Sequence, residues 1–83
     1  MSNRAEGDAR GLAALGAAIR TLRVQAGLDE QELADRSEID LRLLQELESG
    51  QREPTWGDLR RIARGLETPL EKLLELADSL EQG

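Results

Sequence analysis

The 83-residue chain contains no cysteine and no histidine, and Trp56 is its only aromatic residue. Each absence removes a class of chemistry. Without cysteine there is no disulfide framework, no thiolate zinc site and no thiol nucleophile. Without histidine the commonest general base and the commonest metal ligand are both missing. The sequence therefore reads as that of a non-enzyme, with no cofactor and no metal. No apolar run approaches the roughly 18 to 20 residues that a membrane span needs. The opening MSNRAEGDARG is too polar for a secretory signal. A cytoplasmic protein without a membrane partner is expected. Basic residues are scarce as well: 11 against 17 acidic, a formal charge of −6. That balance argues mildly against nucleic acid, because phosphate binding normally shows as a basic excess.

What remains is leucine and alanine, 16 and 10 of them, with few β-branched residues. Such a supply suits helices. Residues 1–11 show no periodicity and read as a flexible, disordered N-terminal arm. From Leu12 the pattern changes, with Leu12, Leu15, Ile19 and Leu22 on one helix face up to Gly27. A second helix opens at Asp29, with Glu32 three residues on completing a capping box, and ends near Ser37 or Glu38. Asp40 is the next candidate cap, before Leu43, Leu44 and Leu47. Thr55 and Asp58 repeat the box ahead of Leu59, Ile62, Ala63 and Leu66, in a helix ending near Gly65. Thr68 as cap and Pro69 as first helical residue open a fifth helix, 69–80. The reading is an all-α protein, a compact five-helix bundle over 12–83.

The order of these signals closely resembles the Cro/C1-type (XRE-type) helix-turn-helix DNA-binding domain. The resemblance spans Leu15 to Leu74 and rests on five pieces. These are Ile19-Arg20-x-Leu22-Arg23 leading to Gly27-Leu28, Glu32-Leu33-Ala34, Ile39 followed by Leu44 and Leu47, Glu48-Ser49-Gly50-Gln51-Arg52-Glu53-Pro54-Thr55, and Leu59-x-x-Ile62-Ala63-x-x-Leu66. The fourth is the most distinctive.

The resemblance implies specific roles. The helix near 41–48 would lie in the major groove, with Asp40, Leu41, Arg42, Gln45 and Glu46 at base-facing positions. Phosphate positions fall on Glu30, Arg52 and Arg20. Arg23 and Glu48 would form a buried structural ion pair. Leu70, Leu73, Leu74, Ala77 and Leu80 of the last helix would form the dimerisation face, against the plainer reading of a packing helix closing the bundle. Arg60, Arg61 and Arg64 would serve a phosphate backbone or form a solvated face paired with Glu53, Glu67 or Asp58. Trp56 is expected at the core or its edge, and Leu41 on or near the exposed face.

Two departures stand against DNA. Where such domains typically carry Ser or Thr then Gln, this chain has Asp29-Glu30, and the usual turn glycine is Glu38. Residues 29–53 carry nine acids against Arg36, Arg42 and Arg52, a net charge of −6, whereas 1–28 carry +2. Glu30, Glu38 and Glu46 are the acids that capping or the Arg23 pair leaves unexplained. Two functions therefore remain open: a dimeric, repressor-like regulator reading double-stranded DNA, and a helix-turn-helix scaffold that has lost DNA and binds a protein partner through its acidic face.

Overall fold

A computed structural model describes residues 4–83, with side chains from Asp8 onward. Five helices follow one another: α1 (Arg4–Gln25), α2 (Glu30–Ser37), α3 (Leu41–Glu48), α4 (Trp56–Gly65) and α5 (Leu70–Gln82). No strand occurs among the described residues. The apolar stripes converge as their spacing requires: Ala18, Ile19, Leu28, Leu33, Ala34, Leu44, Leu47, Ile62, Leu66 and Leu73 form one core. Ile19, Leu33, Leu44, Ile62 and Leu73 are fully buried, and removing such a side chain from water is worth roughly 1.5–3 kcal/mol. Helices α1 and α5 lie along each other, α2 packs on α3 and α4, and α1 crosses α3.

The N-terminal boundary differs from expectation. α1 begins at Arg4 rather than near Leu12, so residues 4–11 are helical rather than a loose arm; residues 1–3 lie outside the described residues. The reason is tertiary. Helix α5 runs on to Gln82 and lines a shared groove with Gly11 and Leu15 through Leu74, Ala77 and Glu81. From about Gly11 onward α1 thus has a surface to lie against that local patterning does not reveal, and the helix runs on from there toward Arg4.

The first four helices end alike. Gly27, Glu38, Gly50 and Glu67 take positive φ angles of 75°, 57°, 75° and 54°. In each case the next amide reaches back to close the final turn: Leu28 to Arg23, Ile39 to Ala34, Gln51 to Glu46 and Thr68 to Ala63, at 2.9–3.1 Å. This satisfies carbonyls that a helix end otherwise leaves without partners. It also corrects the fifth start. The Thr68 amide belongs to the closure of α4, and Pro69 takes the cap position without a side-chain cap. Asp40 likewise occupies the cap position of α3 but makes no capping hydrogen bond.

Both capping boxes form. The Asp29 carboxylate accepts from the Glu32 amide at 2.8 Å, and the Asp29 amide donates to Glu32 at 2.9 Å. Thr55 and Asp58 exchange the same pair at 3.0 and 2.9 Å.

Two helix glycines are close-approach positions. A Cβ on Gly16 would stand 2.5 Å from the carbonyl oxygens of Leu47 and Glu48, so α1 seats directly on the last turn of α3. A Cβ on Gly65 would collide with the Ser37 hydroxyl. Ser37 is fully buried there, and its Oγ has no hydrogen-bond partner.

Candidate nucleic-acid interface

Helices α2 and α3 meet through a tight turn in which Glu38, at φ 57° and ψ 43°, donates its amide to the Ala34 and Asp35 carbonyls. Ile39 then tucks against the core, and α3 begins at Leu41. The distal end of α3 is held by Arg23. Its Nε donates to Glu48 Oε2 at 2.8 Å, its Nη2 to Glu48 Oε1 at 3.1 Å and its Nη1 to the Leu28 carbonyl at 3.0 Å. The two side chains are 11% and 5% exposed, which makes this the buried pair that the resemblance implied. Hydrogen bonding to Glu48 raises the Arg23 pKa; burial opposes this, and the Glu48, Glu30 and Asp29 charges add to it.

With α3 anchored at both ends, its outward residues are Arg42, Gln45 and Glu46. Arg42 is almost fully exposed, its side chain at 89%. Gln45 is exposed and donates Nε2 to Glu30 Oε1 at 3.3 Å, tying α3 to the first turn of α2. Arg52, in the loop after α3, donates Nε to Glu46 Oε1 at 2.7 Å. Arg42 Nε lies 3.5 Å from Glu46 Oε2, one helical turn away. Hydrogen bonding to Arg52 holds the Glu46 carboxyl below the usual carboxylate range; desolvation opposes it, and Arg42 helps. Asp40, Arg42, Leu43, Glu46 and Arg52 line one shallow depression.

Several expectations change at this surface. Leu41 is half-buried and packs on the core with Leu43, so it does not stand as an outward base-facing residue. Arg20 is exposed on α1 and joins none of the ion pairs among the described residues. Trp56 is 62% exposed rather than packed at a core edge. It is the first residue of α4, and the stripe that faces inward begins three residues later at Leu59.

The three unexplained acids all have partners. Glu46 holds two arginines and Glu30 accepts from Gln45. Glu38 pairs with Arg64 at 3.7 Å. Arg36 in turn pairs with Glu67 at 3.6 Å. The left-handed glutamate that ends α2 thus meets an arginine of α4, and the one that ends α4 meets an arginine of α2. These pairs are exposed, and each contributes at most about 1 kcal/mol. Of the basic cluster on α4, Arg61 pairs with Asp58 at 3.8 Å, and Arg60 makes no ion pair among the described residues.

A second surface lies along α5. Leu73 is fully buried within the chain and therefore belongs to the core rather than to an exposed face. It faces inward because it stands on the stripe with Leu70 and Leu76. Leu74 and Leu80 are 37% and 42% exposed. Leu80 borders Ala13, Ala14 and Ala17 of α1 in one apolar depression.

The helix-turn-helix domain family matches residues 14–76. The chain belongs to that family. The domain's XRE-type character, carried by the Arg23–Glu48 pair and the Gly50-to-Pro54 loop, agrees with its structural neighbours. The clp gene regulator ClgR from C. glutamicum is 32% identical, with a TM-score of 0.79 over 83% of this chain and 90% of that one. The restriction-modification controller protein C.AhdI from Aeromonas hydrophila is 29% identical, with a TM-score of 0.73 over 75% and 94%. The controller protein C.Esp1396I, 23% identical with a TM-score of 0.81 over 88% and 96%, shares the fold. No curated protein matches. Among the described residues, no helix of the domain is long and apolar enough to cross a membrane, and no group of three or more His, Cys, Asp or Glu forms a candidate metal site.

Proposed function

We propose that this helix-turn-helix domain is a DNA-binding transcriptional regulator without enzymatic activity, repressor-like and dimeric. Arg42, Gln45 and Glu46 would face base edges, with Arg52 and Arg20 on phosphates. The observation that carries the reading is the outward face of the helix-turn-helix, where Arg42 and Gln45 are exposed on α3 and Arg52 stands in the loop beside them. The net charge of −6 over residues 29–53 opposes phosphate binding. Glu46 lies between Arg42 and Arg52, and Glu30 accepts from Gln45, so donors stand beside these carboxylates while the net charge is unchanged. ClgR, a gene regulator, and C.AhdI, a controller protein, support the same assignment. The dimer reading rests on two neighbouring depressions between α1 and α5, one with Leu74 and Ala77 beside Leu15 and one with Leu80 beside Ala13, Ala14 and Ala17.

The test is a salt titration of binding to random-sequence duplex DNA. Binding at low salt that weakens as salt rises is the expected result. No binding at low salt overturns the reading in favour of a protein-binding scaffold, whose contact would be the exposed acids Glu32, Asp35 and Asp40.

A further inference from the structure

The residue between the two arginines that the DNA-binding reading needs most is an acid. Glu46 Oε1 is 2.7 Å from Arg52 Nε and Glu46 Oε2 is 3.5 Å from Arg42 Nε, so each carboxylate oxygen is taken by one guanidinium. All three side chains line the same depression. We propose that Glu46 is a specificity gate: it holds Arg42 and Arg52 away from the phosphates of arbitrary DNA, and releases them where an exocyclic cytosine amine takes over its carboxylate. This inference rests on the DNA-binding function proposed above.

The argument is one of donors and acceptors. A phosphate is an acceptor-only anion, so it competes with Glu46 for both arginines and offers the carboxylate nothing in return. On an arbitrary sequence, taking both Arg42 and Arg52 to phosphates leaves Glu46 charged and without a donor beside a like charge. Guanine presents N7 and O6, and thymine O4, all acceptors in the major groove. Adenine places the N7 acceptor beside its amine. Cytosine presents the N4 donor, the group to which a glutamate hydrogen-bonds. There the exchange conserves hydrogen bonds without setting the carboxylate against an N7 acceptor on the same base, as adenine would: the amine replaces the arginines on Glu46, and the arginines move to phosphates. A glutamate carboxyl is ionised throughout the neutral range whether or not Arg52 is paired with it, so the gate is an acceptor in both states. Base reading and phosphate binding become one coupled step.

The test uses the full chain as wild type, Glu46→Gln, Arg52→Gln and the double variant, all followed by anisotropy of labelled random-sequence duplex across a salt series. Glu46→Gln is expected to bind about threefold to tenfold more tightly. Its dependence of log K on log salt should steepen by about 0.9 for each arginine released. The gain should vanish in the Arg52→Gln background. In selection from a random duplex pool, the wild type should enrich cytosine at a fixed position and Glu46→Gln should not. An equal gain with and without Arg52, an unchanged slope, or the same base preference in both proteins overturns the gate. Absence of binding by the wild type and every variant at low salt overturns the DNA reading itself, whereas wild-type binding with an unresponsive Glu46→Gln overturns the gate alone.

Discussion

Arg23 reaches across from the last turn of α1 to grip both oxygens of Glu48 at the end of α3, while its third nitrogen holds the Leu28 carbonyl. The end of α3 and the turn after α1 converge on one guanidinium, and neither the Glu48 carboxylate nor the Leu28 carbonyl faces water freely. Removing one side of such a pair leaves the other charge buried, a loss of about 3–5 kcal/mol. Glu48→Gln and Arg23→Met should each lower the unfolding free energy measured by chemical denaturation by that order. The combination Arg23→Met/Glu48→Leu should recover part of the loss, because two apolar groups leave no buried charge. A double variant as unstable as the sum of the singles would refute this account.

Glycine substitutions should split by sign. Gly16→Ala drives a methyl into the Leu47 and Glu48 carbonyl oxygens, and Gly65→Ala drives one into Ser37. Overpacking of this kind costs about 1–3 kcal/mol. Gly57 lies in the first turn of α4, and a Cβ there meets the tip of Arg61 at 3.5 Å and the Thr55 hydroxyl at 3.7 Å, both ordinary contacts. Gly57→Ala should therefore raise stability by about 0.5–1 kcal/mol through helix propensity. Thermal unfolding of the three variants reads out both signs.

The Glu46 carboxyl should titrate below an ordinary glutamate in a carbon-detected NMR pH series. Its folded value is depressed, so the stabilisation from its arginine partners is present above the unfolded-state value and fades as pH falls through the folded one. Arg52→Gln should move the midpoint upward. An unchanged midpoint would show that the 2.7 Å contact does not persist in solution.

Two leucines of α5, Leu73 and Leu80, should respond differently. Leu73→Ala empties a fully buried position and should cost about 2–5 kcal/mol of unfolding free energy. Leu80→Glu alters a 42% exposed position and should leave the fold intact. If the proposed dimer forms through α5, Leu80→Glu should shift sedimentation equilibrium toward monomer without lowering helix content.

These pairs also mark what the sequence makes legible. The Asp29–Glu32 and Thr55–Asp58 boxes follow from residue type and a spacing of three, and both form as written. The Arg23–Glu48 pair came with the family resemblance. Across-chain partnerships did not: nothing local joins Glu38 to Arg64 or Arg36 to Glu67, because only the packing of α2 on α4 brings those turns together. Leu73 and Leu74 are indistinguishable by type, and which one turns inward depends on where α1 lies. Asp40 had the right identity and position for a cap, yet its carboxylate stays clear of the α3 amides. Trp56 carried no usable signal, since a tryptophan at a helix start fits a buried edge as readily as an open one.

The contact at Gly16 has a geometric consequence. With no side chain between them, α1 and the end of α3 form a single rigid lever, and α5 lies along the same α1 shaft. In a pair joined through α5, a side chain at position 16 would push the end of α3 off α1 and so move the two copies of α3 relative to each other. The spacing of the two half-sites on the duplex would then depend in part on a methyl group that is not there.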